Sequence, residues 1–216
     1  MAIASIPPYP MPEPGSLPPA AVDWRADPGR AALLLHDVQE YFLRPFRRDR
    51  SPARELLANA ARLRERARAA GVPVLYSVQP GDMSRAQRGL LRDFWGSGMS
   101  SADHDVRVVA ELAPAEDDHL VTKWRYSAFT RSRLGGLMRR LGRDQLLVCG
   151  VYAQVGCLVT AVDAFSRDIQ PFLVADAVAD FTAEGHRLAL EYAASRCAAV
   201  VSTDRLCAML ETRSAT

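Results

Sequence analysis

Residues Gln145 to Thr160 read Gln-Leu-Leu-Val-Cys-Gly-Val-Tyr-Ala-Gln-Val-Gly-Cys-Leu-Val-Thr. An apolar run, a glycine, five turn residues, a second glycine and a helical pattern predict a strand over 145–149, a sharp turn and a helix over 156–167. In an open parallel sheet ligands sit beyond the carboxyl ends of the strands, so Gly150 to Gly156 is expected to floor a pocket that the helix-start N–H groups face. Taken alone, the stretch reads rather as an ordinary strand-to-helix connection whose glycines ease the turn. Its neighbours decide between the two.

Downstream, Phe172 to Ala175 and Ala199 to Ser202 read as strands, with helices over 183–196 and from Asp204 onward. Upstream, His119 to Thr122 reads as a short strand, followed by a helix from Thr130 or Arg131 to Gly142. Val72 to Val78 is another strand, preceded by a helix that Pro52 opens at its first position and Gly71 stops. Ala31 to Leu35 is a continuous apolar run, as expected of a central parallel strand buried on both faces. The alternation predicts an α/β fold, a single-domain open sheet of about six parallel strands flanked by helices on both faces. The domain is expected over 31–211, and 1–30, with eight of the fourteen prolines, is expected to be an extended arm without helix or strand. The polar stretch Gln79 to Asp105 follows a strand end and is long enough for a lid.

Composition narrows the function. The 216 residues are 49% hydrophobic and 24% charged, which suits one globular domain. Twenty-seven basic and 25 acidic residues, interspersed along the chain, net only +2, which argues against an extended nucleic-acid surface and for a small-molecule partner. Cys149, Cys157, Cys197 and Cys207 lack Cys-x-x-Cys spacing and lie mostly in apolar runs, as reduced buried thiols do, so zinc is not expected. The four histidines have no metal-ligand spacing either. No leader pattern or membrane-length apolar run is present, and a cytoplasmic protein is expected.

Asp37, Gln79 and Lys123 stand at the carboxyl ends of neighbouring predicted strands and are expected to converge beside the Gly150 to Gly156 turn. An aspartate and a lysine in a partly dry cleft shift each other's proton affinity, while Gln79, Arg88 and turn N–H groups suit an anionic substrate. Singly, Asp37 also reads as a helix cap, Lys123 as a solvated strand end and Arg88 as a surface ion-pair partner.

The segments Leu34-Leu35-His36-Asp37-Val38-Gln39-Glu40-Tyr41-Phe42, Gln87-Arg88-Gly89-Leu90-Leu91, Asp93-Phe94-Trp95-Gly96, Thr122-Lys123-Trp124-Arg125-Tyr126-Ser127-Ala128-Phe129 and Gly150-Val151-Tyr152-Ala153 resemble the isochorismatase family. The resemblance continues through Val174-Ala175-Asp176-Ala177-Val178-Ala179-Asp180-Phe181, and implies the isochorismatase-like hydrolase fold and a homodimer. Cysteine hydrolases of the wider superfamily, such as nicotinamidases, carry a nucleophilic Cys where this chain has Gly156, and a metal-binding Asp-x-His element where it has Gln79-Pro80-Gly81. The resemblance therefore implies the branch that works without thiol, metal or other cofactor. Cys157 lies about 100° further round the helix and is expected to point into packing.

What the branch resemblance implies is an ether hydrolase that splits an enolpyruvyl vinyl ether and releases pyruvate. Asp37 would protonate the vinyl methylene carbon, and Lys123 would orient Asp37 and bind substrate oxygens. Gln79 and Arg88 match substrate-binding positions, Arg88 suiting a planar carboxylate. Tyr152 and N–H groups near Gly156 would hold the enolpyruvyl carboxylate, Phe42 and Trp95 would wall the ring, and Val151 would join Tyr152 through a cis peptide. Gln154 replaces a common family His, which puts a proton carrier at that turn in doubt. Phe42-Leu43-Arg44-Pro45 and the stretch from Leu190 to Ala198 are most similar to the 2-amino-2-deoxyisochorismate hydrolases of phenazine-like pathways, with siderophore isochorismatase as the alternative and a cysteine amidohydrolase as a remote one. The resemblance, with the chain ending near Thr216, leads to the expectation that the carrier domain appended in bifunctional siderophore isochorismatases is absent.

Overall fold

A computed structural model describes residues 3–211. Strands β1 (Ala31–His36), β2 (Val74–Val78), β3 (His119–Thr122), β4 (Gln145–Val151), β5 (Gln170–Ala179) and β6 (Ala199–Val201) form one sheet in the order β3-β2-β1-β4-β5-β6. Every neighbouring pair is parallel. The helices are α1 (Glu40–Leu43), α2 (Ala53–Ala69), α3 (Arg85–Arg88), α4 (Leu91–Trp95), α5 (Asp103–Val106), α6 (Leu134–Arg140), α7 (Leu158–Phe165), α8 (Ala183–Arg196) and α9 (Thr203–Glu211).

β1 is buried at every position because it separates two cores. Ala31, Leu33 and Leu35 face one core with Leu56 and Leu63 of α2 and Leu206 and Leu210 of α9. Ala32 and Leu34 face the other with Leu137 of α6, Ala161 of α7 and Leu190 of α8. Period-two side-chain alternation thus turns an unbroken apolar run into a strand that is wet on neither face. The chain leaves β1 toward β2 on one side and returns to β4 on the other, so the crevice between their carboxyl ends is the sheet's switch point. Among the described residues no helix is long and apolar enough to cross a membrane.

Several boundaries differ from the sequence reading. β4 runs on to Val151, with Gly150 inside it, and Ala153–Cys157 winds as a π-helical turn before α7 begins at Leu158. Gly150 has φ +116°, and a Cβ there would lie 2.2 Å from the His36 carbonyl oxygen, so close strand approach rather than the turn demands this glycine. β5 is ten residues long and includes Asp176, whose polarity suggests a strand end. The Asp176 carboxylate instead accepts from the Thr203 N–H and hydroxyl at 2.7 Å each, at the start of α9. α6 begins at Leu134 because Arg131 adopts φ +56°, the Ser127 and Ser132 hydroxyls accept from the nearby Phe129 and Leu134 N–H groups, and Ser127 and Thr130 donate to the Asp163 carboxylate. Pro52 sits one residue before α2 instead of inside it, β2 begins at Val74, and the Pro-rich arm carries a 3-10 turn at Pro14–Ser16 and an isolated bridge between Ile6 and Phe46.

Candidate active site

Sheet register brings the first three polar residues together. His36 pairs with Ser77 and Val78 with Thr122, so Asp37, Gln79 and Lys123 follow three adjacent strands. The Lys123 N–H donates to the Val78 carbonyl at 2.9 Å, extending the β2–β3 ladder by one bond. Asp37 leaves β1 with φ +50°, a left-handed conformation that turns it away from the strand path. Its Oδ1 accepts from the Ser77 hydroxyl at 2.6 Å, and its Oδ2 from Lys123 Nζ at 2.7 Å and Gln79 Nε2 at 3.0 Å. Gln39, two residues on, clamps the Gln79 backbone: its Oε1 accepts from the Gln79 N–H at 2.7 Å and its Nε2 donates to the Gln79 carbonyl at 2.9 Å.

Asp37 and Lys123 are both buried, at 4% and 1% exposure, so their attraction is little screened. Burial pushes the Asp37 carboxyl up, but the Lys123 ammonium and the donors around it outweigh this and hold it below the ordinary carboxyl value. The carboxylate is the resting form.

Arg88, at the end of α3, is also buried. Its Nε donates to the Gly96 carbonyl at 3.1 Å and its Nη1 to Gln79 Oε1 at 3.4 Å, and no carboxylate pairs with it among the described residues. Burial lowers its proton affinity, as expected for a guanidinium without a counter-charge. Gly98, φ +88°, leaves room for it: a Cβ there would stand 2.9 Å from the Arg88 guanidinium carbon. The segment from Gln79 to Asp105, expected as a lid, supplies Arg88 and Trp95 to the cavity wall.

Aromatic rings close the far side. Trp95 stacks on Phe181 at 5.7 Å, Phe181 on Tyr152 at 4.1 Å, and Tyr152 on Phe46 at 5.9 Å. The Trp95 indole donates to the Tyr126 hydroxyl at 2.7 Å, and the Tyr152 hydroxyl donates to the Phe42 carbonyl at 2.7 Å. The Val151–Tyr152 peptide is cis. Contrary to the expectation for the turn, the N–H groups of Val155, Gly156 and Cys157 all donate to the Tyr152 carbonyl, at 3.2, 3.0 and 3.2 Å. A π-helical turn consumes its own donors, which leaves those of Gly156 and its neighbours committed inside the backbone.

The Asp37–Lys123 pair and the Trp95 and Tyr152 rings border one cavity. Asp37, Lys123, Gln79, Arg88, Phe42 and Trp95 line it, as do Val151, Tyr152 and Gly156. Ile3, Tyr41, Leu91, Tyr126 and Val155 line it too, and sequence reasoning assigned them no role. Their common feature is apolar or aromatic surface on short helices, turns and the N-terminal arm, too short for a periodic pattern to aim at a site. Among the described residues no cluster of His, Cys, Asp and Glu could hold a metal ion.

Residues 31–205 match the family model described as the isochorismatase domain. The chain belongs to the isochorismatase family. It is 57% identical over 204 residues to phenazine biosynthesis protein PhzD1 of Pseudomonas aeruginosa, covering 94% of this chain and 98% of that protein. It is 50% identical to the isochorismatase of Bacillus subtilis, covering 98% of this chain and 68% of that one. A crystal structure of a cysteine hydrolase from Pseudomonas syringae pv. phaseolicola superposes with a TM-score of 0.81 at 27% identity, covering 90% and 98% of the two chains.

Neither Cys157 nor Gly156 places a thiol in the cavity. Cys157 is fully buried in the core shared by α6, α7 and α8, and burial raises its thiol far above the ordinary value, so it is an inert packing residue. Gly156 cannot carry a side chain, because the His36 imidazole already fills that space. Gln154 does not reach the cavity: its N–H and side-chain amide bond the Asp180 carboxylate at 2.5 and 3.2 Å, so nothing at this position carries protons to the site.

Proposed function

We propose that the chain hydrolyses the enolpyruvyl vinyl ether of 2-amino-2-deoxyisochorismate, giving trans-2,3-dihydro-3-hydroxyanthranilate and pyruvate in the biosynthesis of phenazine-like metabolites. The observation that carries this reading is a buried Asp37–Lys123 pair facing the same cavity as Arg88, a buried guanidinium with no carboxylate of its own among the described residues. Such a site carries one uncompensated positive charge and holds one carboxyl group able to move a proton.

Substrate carboxylates supply the missing charge, one received by the Arg88 fork and another by Lys123 and the neighbouring polar groups. Their field offsets that of Lys123 and favours the protonated form of Asp37. Asp37 then gives its proton to the terminal methylene carbon of the vinyl ether, and the ether oxygen stabilises the oxocarbenium ion that forms. Water adds to that ion and returns a proton to Asp37, and the hemiketal collapses to pyruvate and the ring alcohol. Gln79 and Ser77 hold the carboxyl group in place, Gln79 also touching Arg88. Phe42, Trp95, Tyr152 and Val151 form the apolar wall against which the ring lies.

The enzyme works in the cytoplasm as a homodimer in this reading, as the resemblance to its relatives suggests. The similarity to the Bacillus subtilis isochorismatase supports a second substrate, isochorismate, which differs only in carrying a hydroxyl in place of the amine. The test is pyruvate release coupled to lactate dehydrogenase on the two purified compounds. Both should turn over, with the amino compound preferred by roughly tenfold in kcat/KM, since one such contact is worth about 1 to 3 kcal/mol. A preference for isochorismate moves the enzyme to siderophore chemistry, and release of pyruvate from neither compound overturns the reading.

A further inference from the structure

The cavity has one wall that comes from outside the sheet and its loops. Ile3, more than thirty residues before Asp37 in sequence, lines the same cavity as the Asp37–Lys123 pair. The arm that carries it is held against the body at successive points. Ile6, 3% exposed, donates its N–H to the Pro45 carbonyl at 2.9 Å and bridges to Phe46. The Tyr9 hydroxyl accepts from the Asp180 N–H at 2.7 Å and lies 3.2 Å from both the Asp180 carbonyl oxygen and His186 Nδ1. Further on, the Met11 N–H donates to the Ser51 hydroxyl at 2.9 Å.

These anchors converge on the site. Phe46, beside Ile6, stacks on Tyr152, and Asp180, bonded to Tyr9, precedes the Phe181 ring that lies between Tyr152 and Trp95. A proline-rich segment adopts extended backbone at little entropic cost, so few anchors suffice to hold it in one path. Ala4 and Ser5, between Ile3 and the first anchor, are exposed, whereas Ile3 is partly buried and packs with Phe42 and Val155 against the core. Ile3 thus turns inward ahead of an exposed stretch and meets both the core and the ligand cavity.

We propose that Ile3 is a substrate-contacting residue that sets affinity, closing the cavity that Leu91 and Trp95 also line and covering the carbon skeleton of the bound ligand. The ligand's identity rests on the function proposed above; the closure does not. Ile3→Ala should raise KM by roughly tenfold, the low end expected for lost apolar contact in a pocket, with kcat within about threefold of the wild type. Deleting residues 1–5 behind a new initiating Met, which keeps Ile6 and Tyr9, should act at least as strongly. Neither change should move Tm by more than a degree or two, and Pro8→Ala, on the exposed side of the same arm, should alter nothing.

A readout free of turnover separates this inference from the choice of substrate. With Trp24 and Trp124 replaced by Phe, Trp95 reports the cavity, and the deletion should increase its quenching by acrylamide at least twofold. KM within twofold of the wild type together with unchanged quenching overturns the proposal, as does a KM loss that follows Tm equally in every arm variant. If the wild type releases no pyruvate from either compound, the function fails and the quenching alone decides the role of Ile3.

Discussion

Gly156 lies so close to the His36 imidazole that a Cβ on the glycine would stand 2.1 Å from His36 Cε1 and 2.9 Å from both ring nitrogens. His36 is fully buried at the end of β1, with Nδ1 2.9 Å from the Val151 carbonyl, so the ring has no room to retreat. Gly156→Ala should therefore destabilise by about 3 kcal/mol, the upper part of the usual range for overpacking a core. Combined with His36→Ala, the same substitution should cost less than it does alone, and a double-mutant cycle on urea midpoints measures the difference. Additive effects would mean that the two residues do not compete for space. The same clash keeps a thiol out of this position.

Asp37 carries the proton in the proposed reaction. Asp37→Asn keeps an acceptor for Lys123 and should fold normally while losing about a thousandfold in kcat, within the range for a general acid. Asp37→Ala should in addition lose about 3 to 5 kcal/mol of stability, since it strands a buried ammonium. Turnover near normal in the Asn variant would remove Asp37 from the mechanism.

The direction of the Asp37 shift sets a pH profile. Because the resting carboxyl sits below its ordinary value and must bind a proton to act, kcat/KM should fall tenfold per pH unit across the neutral range. Lys123→Met removes the largest effect opposing burial, so the remaining activity should begin its fall at higher pH than in the wild type. A profile that keeps its position in that variant would show that Lys123 does not control Asp37.

Arg88 is expected to serve binding more than chemistry. Arg88→Ala should raise KM by roughly fiftyfold, the range of a charge-assisted hydrogen bond to a ligand, with a smaller change in kcat. Arg88→Lys keeps the charge but loses the planar fork, and should recover only part of the affinity. Equal losses of kcat in both variants, with KM unchanged, would count against an anion-receiving role.

Two histidines tie stability to acid. Burial holds His36 and His186 near pKa 4, against 6.5 for the free side chain, so both are neutral in the fold and take up protons on unfolding. The stabilisation is complete above about pH 6.5 and is lost as pH falls toward 4, by roughly 2 kcal/mol per histidine at pH 5. Tm should drop by roughly 10 °C between pH 7 and pH 5. His186→Gln should flatten that drop, and a Tm independent of pH over this window would contradict the burial argument.

Much of this molecule is legible in its sequence. The order of strands and helices follows from alternating apolar runs, because a strand between two cores must be apolar throughout and a helix must present one face. Asp37, Gln79 and Lys123 were identifiable because strand ends of a parallel sheet share one edge. Tertiary structure alone decided the rest, in each case because the deciding partner is distant in the chain. Asp176 reads as a loop residue until Thr203 arrives to take its carboxylate. The Gly156 N–H reads as a ligand donor until the turn closes on the Tyr152 carbonyl. Gly150 and Gly156 read as turn glycines, yet the His36 backbone and ring are what exclude a side chain at each. Ile3 belongs to the cavity only because anchors at Phe46 and Asp180 fold the arm back across the sheet edge, a contact between segments whose local sequences contain no sign of one another.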